Sequence, residues 1–191
     1  MIFSATAIPD AKIIDIEELR DQRGFFARTW CERELAAQGL VTDIAQESLS
    51  YSRSKGTMRG LHYQRPPHGE VKIVRCIRGA IYDVIVDIRP NSPSFLRSVG
   101  VELTALNRRA LYVPNGCVHG FLTRADDTEV AYLISTFYVP AASAGYRHDD
   151  PAFAIAWPAP IEVINEKDTK WPDFKADPAL ALFSSGAGAP A

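Results

Sequence analysis

The run Gly56-Thr57-Met58-Arg59-Gly60-Leu61-His62-Tyr63-Gln64 places a histidine shortly after a glycine turn, among residues that favour a β-strand. A second run, Pro114-Asn115-Gly116-Cys117-Val118-His119-Gly120-Phe121, repeats this arrangement with its own histidine. Side chains alternate between the two faces of a strand, which puts His62 on the face opposite to Arg59 and His119 opposite to Val118. We therefore expect two strand-borne histidines, one in each run.

Length and composition favour one domain without covalent crosslinks. The chain has 191 residues and a formal net charge of -2, with acidic and basic residues interspersed. A chain of this size buries enough surface to fold without disulfides, and its charge shows no nucleic-acid-binding patch. The three widely spaced cysteines are typical of a reduced, cytoplasmic protein. We find no signal peptide and no apolar run that reaches across a membrane, so we expect neither nucleic acid nor membrane as a partner.

Short strand-forming runs recur along the chain and are separated by turn residues. They cover residues 13–16, 72–77, 81–88, 99–103, 110–113, 119–123 and 129–135. In the third run, valines and an isoleucine occupy one face, and Asp83 and Asp87 occupy the other. Many short strands with Gly, Pro and Asn turns indicate an all-β fold, an antiparallel sandwich or jelly roll.

Helices are expected to be few and short. One is predicted at 31–38, before Gly39 in the position of a C-cap, and a second at 176–182. We expect residues 1–183 to form a single domain. The last residues, 184–191, are small and are predicted to form a flexible C-terminal tail.

The spacings Gly-x5-His-x-Gln and Pro-x-Gly-x-x-His resemble the two signature segments of a cupin barrel. In a metal-binding cupin the first segment supplies two histidines two residues apart, followed by an acidic ligand, and here Gln64 stands in the second position. Imidazole and carboxylate suit several transition ions, so a site of His62, His119, Glu70 and Gln64 is an alternative, although an amide is a poor ligand. We expect no bound metal, and a histidine that carries protons instead.

Further motifs follow one another in family order from about residue 13 to about residue 172 and resemble dTDP-4-dehydrorhamnose 3,5-epimerases. They are Asp21-Gln22-Arg23-Gly24-Phe25-Phe26, the Gly56 to Gln64 run, Lys72-Ile73-Val74-Arg75-Cys76, Leu111-Tyr112-Val113-Pro114, His119-Gly120-Phe121, Thr128-Glu129-Val130-Ala131-Tyr132 and Asp149-Asp150-Pro151. The resemblance implies a jelly-roll cupin without metal or cofactor, usually a homodimer. It also implies a nucleotide-diphosphate-linked 4-keto-6-deoxyhexose as the substrate.

The resemblance assigns catalytic roles to four residues. His62 matches the family's base, and Asp168 matches the carboxylate that pairs with it. Tyr132 matches the acid on the opposite side of the sugar ring, and Lys72 matches the cation near the 4-keto oxygen.

The remaining matched positions are expected to bind the substrate. Arg59 and His119 match positions near the diphosphate and the sugar, and Arg23, Phe26 and Gln46 match positions around the nucleotide. Tyr138, in a Tyr-x-Pro segment, is also assigned to substrate binding.

The residue types suit the chemistry that the resemblance implies. A 4-keto group acidifies the hydrogens on both neighbouring carbons. Removal of one gives an enolate, and a proton returned to the other face inverts the configuration of that carbon. Histidine, with an ordinary pKa of about 6.5, is a suitable base, and a carboxylate behind it orients the ring. A lysine at the developing oxyanion lowers the barrier.

The chain departs from the family's usual residues at Arg28, where glutamate is common, and at Ser48, where asparagine is common. Departures also occur at Ala141, Ser143 and His148. Since several of these positions lie near the nucleotide in the family, we hypothesise that the nucleotide or sugar preference has moved away from dTDP.

Two other functional classes fit the same residues. A metal-dependent cupin, such as a dioxygenase or an isomerase, would use the two barrel histidines as ligands. A non-catalytic binding module would hold a sugar nucleotide without moving its protons. The presence of His62, Tyr132, Lys72 and Asp168 together favours the epimerase.

Overall fold

The computed structural model describes residues 1–183, and its strands pair almost entirely in antiparallel fashion. The strands are β1 (Ile2–Ala5), β2 (Lys12–Asp15), β3 (Leu19–Asp21), β4 (Gly24–Phe26), β5 (Gln46–Ser52), β6 (Thr57–Gln64), β7 (Lys72–Arg78), β8 (Ala80–Asp87), β9 (Ser98–Thr104), β10 (Ala110–Val113), β11 (Cys117–Thr123), β12 (Thr128–Ile134), β13 (Ser143–Gly145) and β14 (Val163–Ile164). Within residues 1–183 there are two α-helices, α1 (Glu32–Ala36) and α2 (Glu166–Thr169), and both are short. The predicted tail, 184–191, lies outside the described residues.

Two large sheets form a jelly roll, which confirms the predicted fold class. The first sheet has the strand order β1-β2-β10-β7-β12-β5, and the second has the order β13-β6-β11-β8-β9, with β14 added alongside β6. Strands β3 and β4 pair as a separate hairpin. Because strands that are distant in sequence become neighbours in each sheet, residues from the whole chain meet between the sheets.

The main core lies between the two sheets. Val74 and Leu111 of the first sheet pack there with Ile85 and Phe121 of the second, and all four are buried. Burial of such side chains stabilises the fold by roughly 1.5–3 kcal/mol each. The sheets are thereby held together while part of the space between them stays open.

The outer faces of the sheets are covered by other parts of the chain. Leu35 of α1 is fully buried against Ile14 and Tyr112 on the first sheet. The C-terminal segment covers the second sheet, where Phe153 and Phe183 pack on strand side chains. None of the helices within residues 1–183 combines the length and apolar character needed to span a membrane.

The acidic face of β8 points into the interior. The predicted alternation is confirmed, but both Asp83 and Asp87 are fully buried. Asp87 accepts hydrogen bonds from Arg89, Ser92 and Ser94. Burial on its own raises the pKa of Asp87, and these bonds outweigh burial and lower it. The acids are tolerated inside because each has a polar partner.

Strand β6 carries a β-bulge that changes the faces of its side chains. Phe121 pairs with Arg59 while His119 pairs with His62, so β6 has one residue more than β11 between these two pairs. The bulge turns Arg59 to the same face as His62, and the expectation of opposite faces was wrong. Gly60 lies within it at a φ of 121°, where an added Cβ would come within 2.5 Å of the Gly120 Cα.

The two predicted helices are only partly as expected. The first is α1, shorter than residues 31–38 and with Ala37 as its C-cap; Gly39 comes two residues later with a φ of 69°, where its N–H donates to the Ala36 carbonyl. The second, expected at 176–182, is a 3-10 helix, Pro178–Leu182. Asp177 caps it by accepting a hydrogen bond from the Ala179 N–H.

Candidate active site

A cavity of about 730 Å³ opens between the two sheets. Eight of the ten residues assigned by sequence line it: His62, Tyr132, Asp168, Lys72, Gln46, Arg59, His119 and Tyr138. Strands β5, β7 and β12 contribute from the first sheet, and β6 and β11 contribute from the second. Side chains of both sheets therefore border the same cavity.

His62 and Asp168 form a hydrogen-bonded pair on the second sheet. His62 lies on β6, and Asp168 lies on α2, which packs beside that strand. The His62 Nε2 atom is 2.7 Å from Asp168 Oδ1. The His62 side chain is 42% exposed, whereas that of Asp168 is 7% exposed. The imidazole thus faces the cavity with a buried carboxylate behind it.

The Asp168 carboxylate is held in its ionised form. Burial by itself raises the pKa of Asp168, but hydrogen bonds from His62, the Gly60 N–H and Trp171 outweigh it, and the pKa is lowered. An ionised carboxylate only accepts hydrogen bonds, so the His62 Nε2 carries the proton that lies between them. The other ring nitrogen, Nδ1, is then free to accept a proton.

Tyr132 lies on β12 of the first sheet, across the cavity from His62. Its hydroxyl is 3.1 Å from Ser50 Oγ on β5. Burial raises the pKa of Tyr132 well above its ordinary value. The phenol is therefore neutral near pH 7, and it can donate a proton but resists losing one permanently.

Lys72 lies on β7 and faces the cavity as part of a polar chain. Its Nζ is 2.8 Å from Glu70 Oε1, and both side chains are nearly buried. Gln64 Nε2 donates to the other Glu70 oxygen at 3.1 Å. These contacts fix the Lys72 ammonium on the first sheet, which also carries Tyr132.

A second histidine–carboxylate pair lies beside the first. His119 Nε2 is 2.7 Å from Asp83 Oδ1, and both residues are buried. His119 pairs directly with His62 across β6 and β11. Its ring also meets that of Tyr132 edge to face, with 6.4 Å between the ring centroids. His119 thus bridges the floor of the cavity between the base and the phenol.

Two glutamines hold the segment that carries Tyr138 at the mouth of the cavity. Gln46 Oε1 accepts a hydrogen bond from the Tyr138 N–H at 2.7 Å. Gln64 Oε1 accepts one from the Val139 N–H at 2.7 Å. The Tyr138 side chain is 58% exposed, so its ring is available to a ligand. Arg59 is fixed at the opposite end of β5 from Gln46, because it donates to Ser52 and to the Tyr51 carbonyl.

The structure does not bring Arg23 and Phe26 to this cavity. Both lie on the β3–β4 hairpin, and neither is among the residues that line the cavity. The Arg23 side chain is 85% exposed and pairs with Asp21, and Phe26 is 74% exposed. Within one chain, these two residues are apart from the other eight.

Sequence reasoning missed four residues that hold the site together. They are the carboxylate partners Asp83 and Glu70, the hydroxyl of Ser50 and the indole of Trp171. A signal existed for Asp83, whose face on β8 was predicted, and for Trp171, which lies three residues after Asp168. Ser50 is a polar residue without a distinctive pattern, and Glu70 was named only as a ligand in the metal-site alternative.

The metal-site alternative has no geometric support in residues 1–183. There, no three His, Cys, Asp or Glu side chains converge as a metal-binding group. Gln64, at the position of the second histidine in a metal-binding cupin, uses its amide to hold Glu70 and the 137–139 segment instead.

Comparisons with known proteins show one family to which this sequence and fold are similar. The sequence model of the dTDP-4-dehydrorhamnose 3,5-epimerase family matches residues 5–176. The chain is 38% identical over 170 residues to a dTDP-4-dehydrorhamnose 3,5-epimerase of Shigella flexneri, covering 88% of this chain and 93% of that one. A Bacillus anthracis crystal structure of such an epimerase, with TDP and PPi bound, superimposes with a TM-score of 0.87 at 36% identity, covering 91% and 99% of the two chains. The Legionella pneumophila enzyme in complex with dTDP-4-keto-L-rhamnose gives a TM-score of 0.84 at 34% identity, covering 90% and 92%.

Proposed function

The chain belongs to the dTDP-4-dehydrorhamnose 3,5-epimerase family, and from that premise we propose how its cavity performs the reaction. The protein is an isomerase that epimerises a nucleotide-linked 4-keto-6-deoxyhexose by proton transfer. The observation that carries the assignment of roles is the placement of His62 with Asp168 on one sheet and Tyr132 on the facing sheet, around a single cavity.

In the first step His62 removes a proton from a carbon next to the ketone. The free Nδ1 accepts the proton, and the electrons of the C–H bond move onto the 4-keto oxygen as an enolate. Asp168 stabilises the imidazolium that forms, since its carboxylate is already ionised and hydrogen-bonded to the ring. General-base catalysis of this kind accelerates a reaction by roughly 10²–10⁴-fold.

In the second step Lys72 stabilises the enolate oxygen. The ammonium is held in place by Glu70 before the substrate arrives, so it needs little reorganisation as charge develops. Loss of one preorganised donor to an oxyanion typically costs about 3–4 kcal/mol of transition-state stabilisation.

In the third step Tyr132 donates its proton to the opposite face of the same carbon, and the enolate returns to a ketone with inverted configuration. The resulting phenolate is unfavourable in a buried site, as the raised pKa of Tyr132 indicates. It recovers a proton through the Ser50 hydroxyl, which lies 3.1 Å away. His62, which is partly exposed, releases its proton to solvent.

The test of this function is a panel of nucleotide-linked 4-keto-6-deoxyhexoses incubated with the protein in heavy water. We expect NMR to show solvent deuterium at C3, C5 or both, together with inversion at the labelled carbon. Tight binding without deuterium incorporation would identify a binding module and overturn the proposal. The positions that exchange also show which carbons the enzyme inverts.

The same panel tests the nucleotide preference, which stays a prediction. Of the departures considered above, Ser48 and Ser143 line the cavity, whereas Arg28 is outside it and pairs with Glu34. If the preference has moved, ligands carrying CDP or GDP should bind more tightly than those carrying dTDP. Equal binding of the three kinds of ligand, or a clear preference for dTDP, would contradict this hypothesis and leave the epimerase function intact.

We also propose a homodimer, because a second subunit can bring the β3–β4 hairpin to the cavity of its partner. Arg23 and Phe26 match nucleotide-binding positions, yet they project from an exposed hairpin that also carries Leu19, 70% exposed. Apolar side chains this exposed are typical of an interface. We propose that each hairpin reaches the nucleotide end of the other subunit's cavity.

We further propose a cytoplasmic location, on the ground that all three cysteines, which lie within the described range, are free thiols.

Complementation between two inactive variants tests the shared site. We expect Arg23→Ala and His62→Ala each to lose most activity. A refolded equimolar mixture should recover about a quarter of wild-type activity, because half the dimers are mixed and each of these has one intact site. A mixture of His62→Ala with Asp168→Asn, both within one cavity, is the control and should recover none. Isolated mixed dimers of the first pair without activity would contradict the shared site.

A further inference from the structure

We propose that Trp171 is a positioning residue, whose indole N–H holds the Asp168 carboxylate and thereby sets the orientation and tautomer of His62. This inference rests on the proposed roles of His62 and Asp168. Trp171 follows α2 and is not among the residues that line the cavity, so it acts on the reaction only through the dyad.

The carboxylate oxygen that faces His62 is shared with the indole. Trp171 Nε1 donates to Asp168 Oδ1 at 3.2 Å, and His62 Nε2 lies 2.7 Å from the same atom. The other oxygen, Oδ2, is 3.4 Å from the Gly60 N–H. Three donors, two from β6 and one from the segment after α2, thus converge on one buried carboxylate.

The indole is fixed by its surroundings. Its ring meets the His62 imidazole at a steep angle, with 6.3 Å between centroids. It packs so closely on Gly145 that an added Cβ there would lie 2.7 Å from the indole nitrogen. Gly145 is the β13 partner of His62, and Lys167 Nζ lies 5.2 Å from the indole centroid. The N–H is therefore held in its direction by the same strands that hold the base.

The shared oxygen has a chemical consequence. Since the ionised carboxylate cannot donate, both nitrogens that approach Oδ1 must carry hydrogens, which leaves the lone pair of His62 on Nδ1. The Trp171 N–H is one of the bonds that lower the pKa of Asp168. Without it, the carboxylate loses a donor, becomes more basic and is freer to rotate away from the imidazole.

The experiment compares Trp171→Phe with the wild-type enzyme. Phenylalanine keeps an aromatic ring against Gly145 and His62 but removes the N–H. We expect kcat to fall by on the order of tenfold with KM unchanged. We also expect the acid limb of the pH profile of kcat to move to higher pH by about 0.5–1 unit, because a more basic carboxylate makes the His62–Asp168 pair bind its proton more tightly. A ¹³C NMR titration of Asp168 should show the same upward shift in the absence of substrate.

A matched control is Trp157→Phe, which removes an indole N–H that donates to the His148 carbonyl at 3.0 Å. This variant should keep the wild-type pH profile. If the Asp168 titration of Trp171→Phe coincides with that of the wild type, the inference is overturned, even where the variant is less stable. If the titration shifts while the activity profile does not, the indole holds the carboxylate as inferred and it is the catalytic role of Asp168 that fails.

Discussion

His62→Ala should abolish the incorporation of solvent deuterium into the substrate at every carbon that the wild-type enzyme labels. The expected loss is about 10²–10⁴-fold in the exchange rate, the range typical of a general base. The physical reason is that His62 presents the free ring nitrogen to the cavity while Asp168 holds the other nitrogen at 2.7 Å. With alanine at position 62, the Asp168 carboxylate has no imidazole to orient, and no group accepts the proton. The measurement is ¹H NMR of the substrate in heavy water over time.

The control for this variant is His68→Ala, which removes a histidine that does not line the cavity. Exchange and inversion by His68→Ala should match the wild type. Asp168→Asn provides a second comparison, because it keeps the shape of the side chain but removes the charge that stabilises the imidazolium. Substantial residual exchange in His62→Ala, with the fold intact, would remove His62 from the role of base.

The strands could be predicted because apolar and polar side chains alternate along them. Val84 and Val86 alternate with Asp83 and Asp87, and this alternation is present in the structure. What the pattern does not contain is the environment of each face. Both faces of β8 are buried, one between the sheets and one under the C-terminal segment, and only the polar partners of the aspartates make this possible.

The sequence could predict individual residues of the candidate site, but not the partners with which they form hydrogen bonds. Arg59 was placed on the wrong face because a bulge adds one residue to β6, and a bulge leaves no mark in a simple alternation. The partners of the reacting groups come from far along the chain. Asp83 is 36 residues from His119, and Ser50 is 82 residues from Tyr132. Such pairs depend on which strands become neighbours, which no local pattern contains.

Tyr132→Phe should separate proton removal from inversion. His62 remains able to take a proton and to exchange it with solvent, since its side chain is 42% exposed. Deuterium should therefore still enter the sugar from the His62 side, with retention of configuration. Inversion should be slower by roughly 10²–10⁴-fold, because the opposite face has lost its acid. The measurement is the ratio of labelled, uninverted sugar to inverted sugar, read by NMR from the deuterium content and the ring couplings.

Tyr112→Phe is the matched control, because it also deletes a buried phenol hydroxyl, one that accepts a hydrogen bond from the Val41 N–H on the outer side of the first sheet. That variant is expected to lose some stability but to keep the wild-type ratio. The burial that raises the pKa of Tyr132 keeps its hydroxyl protonated, and a neutral donor is what the second face of the sugar requires. If Tyr132→Phe inverted the sugar as fast as it exchanged deuterium, the proton would have to come from another group. The placement of Tyr132 opposite His62 would then have no role in catalysis.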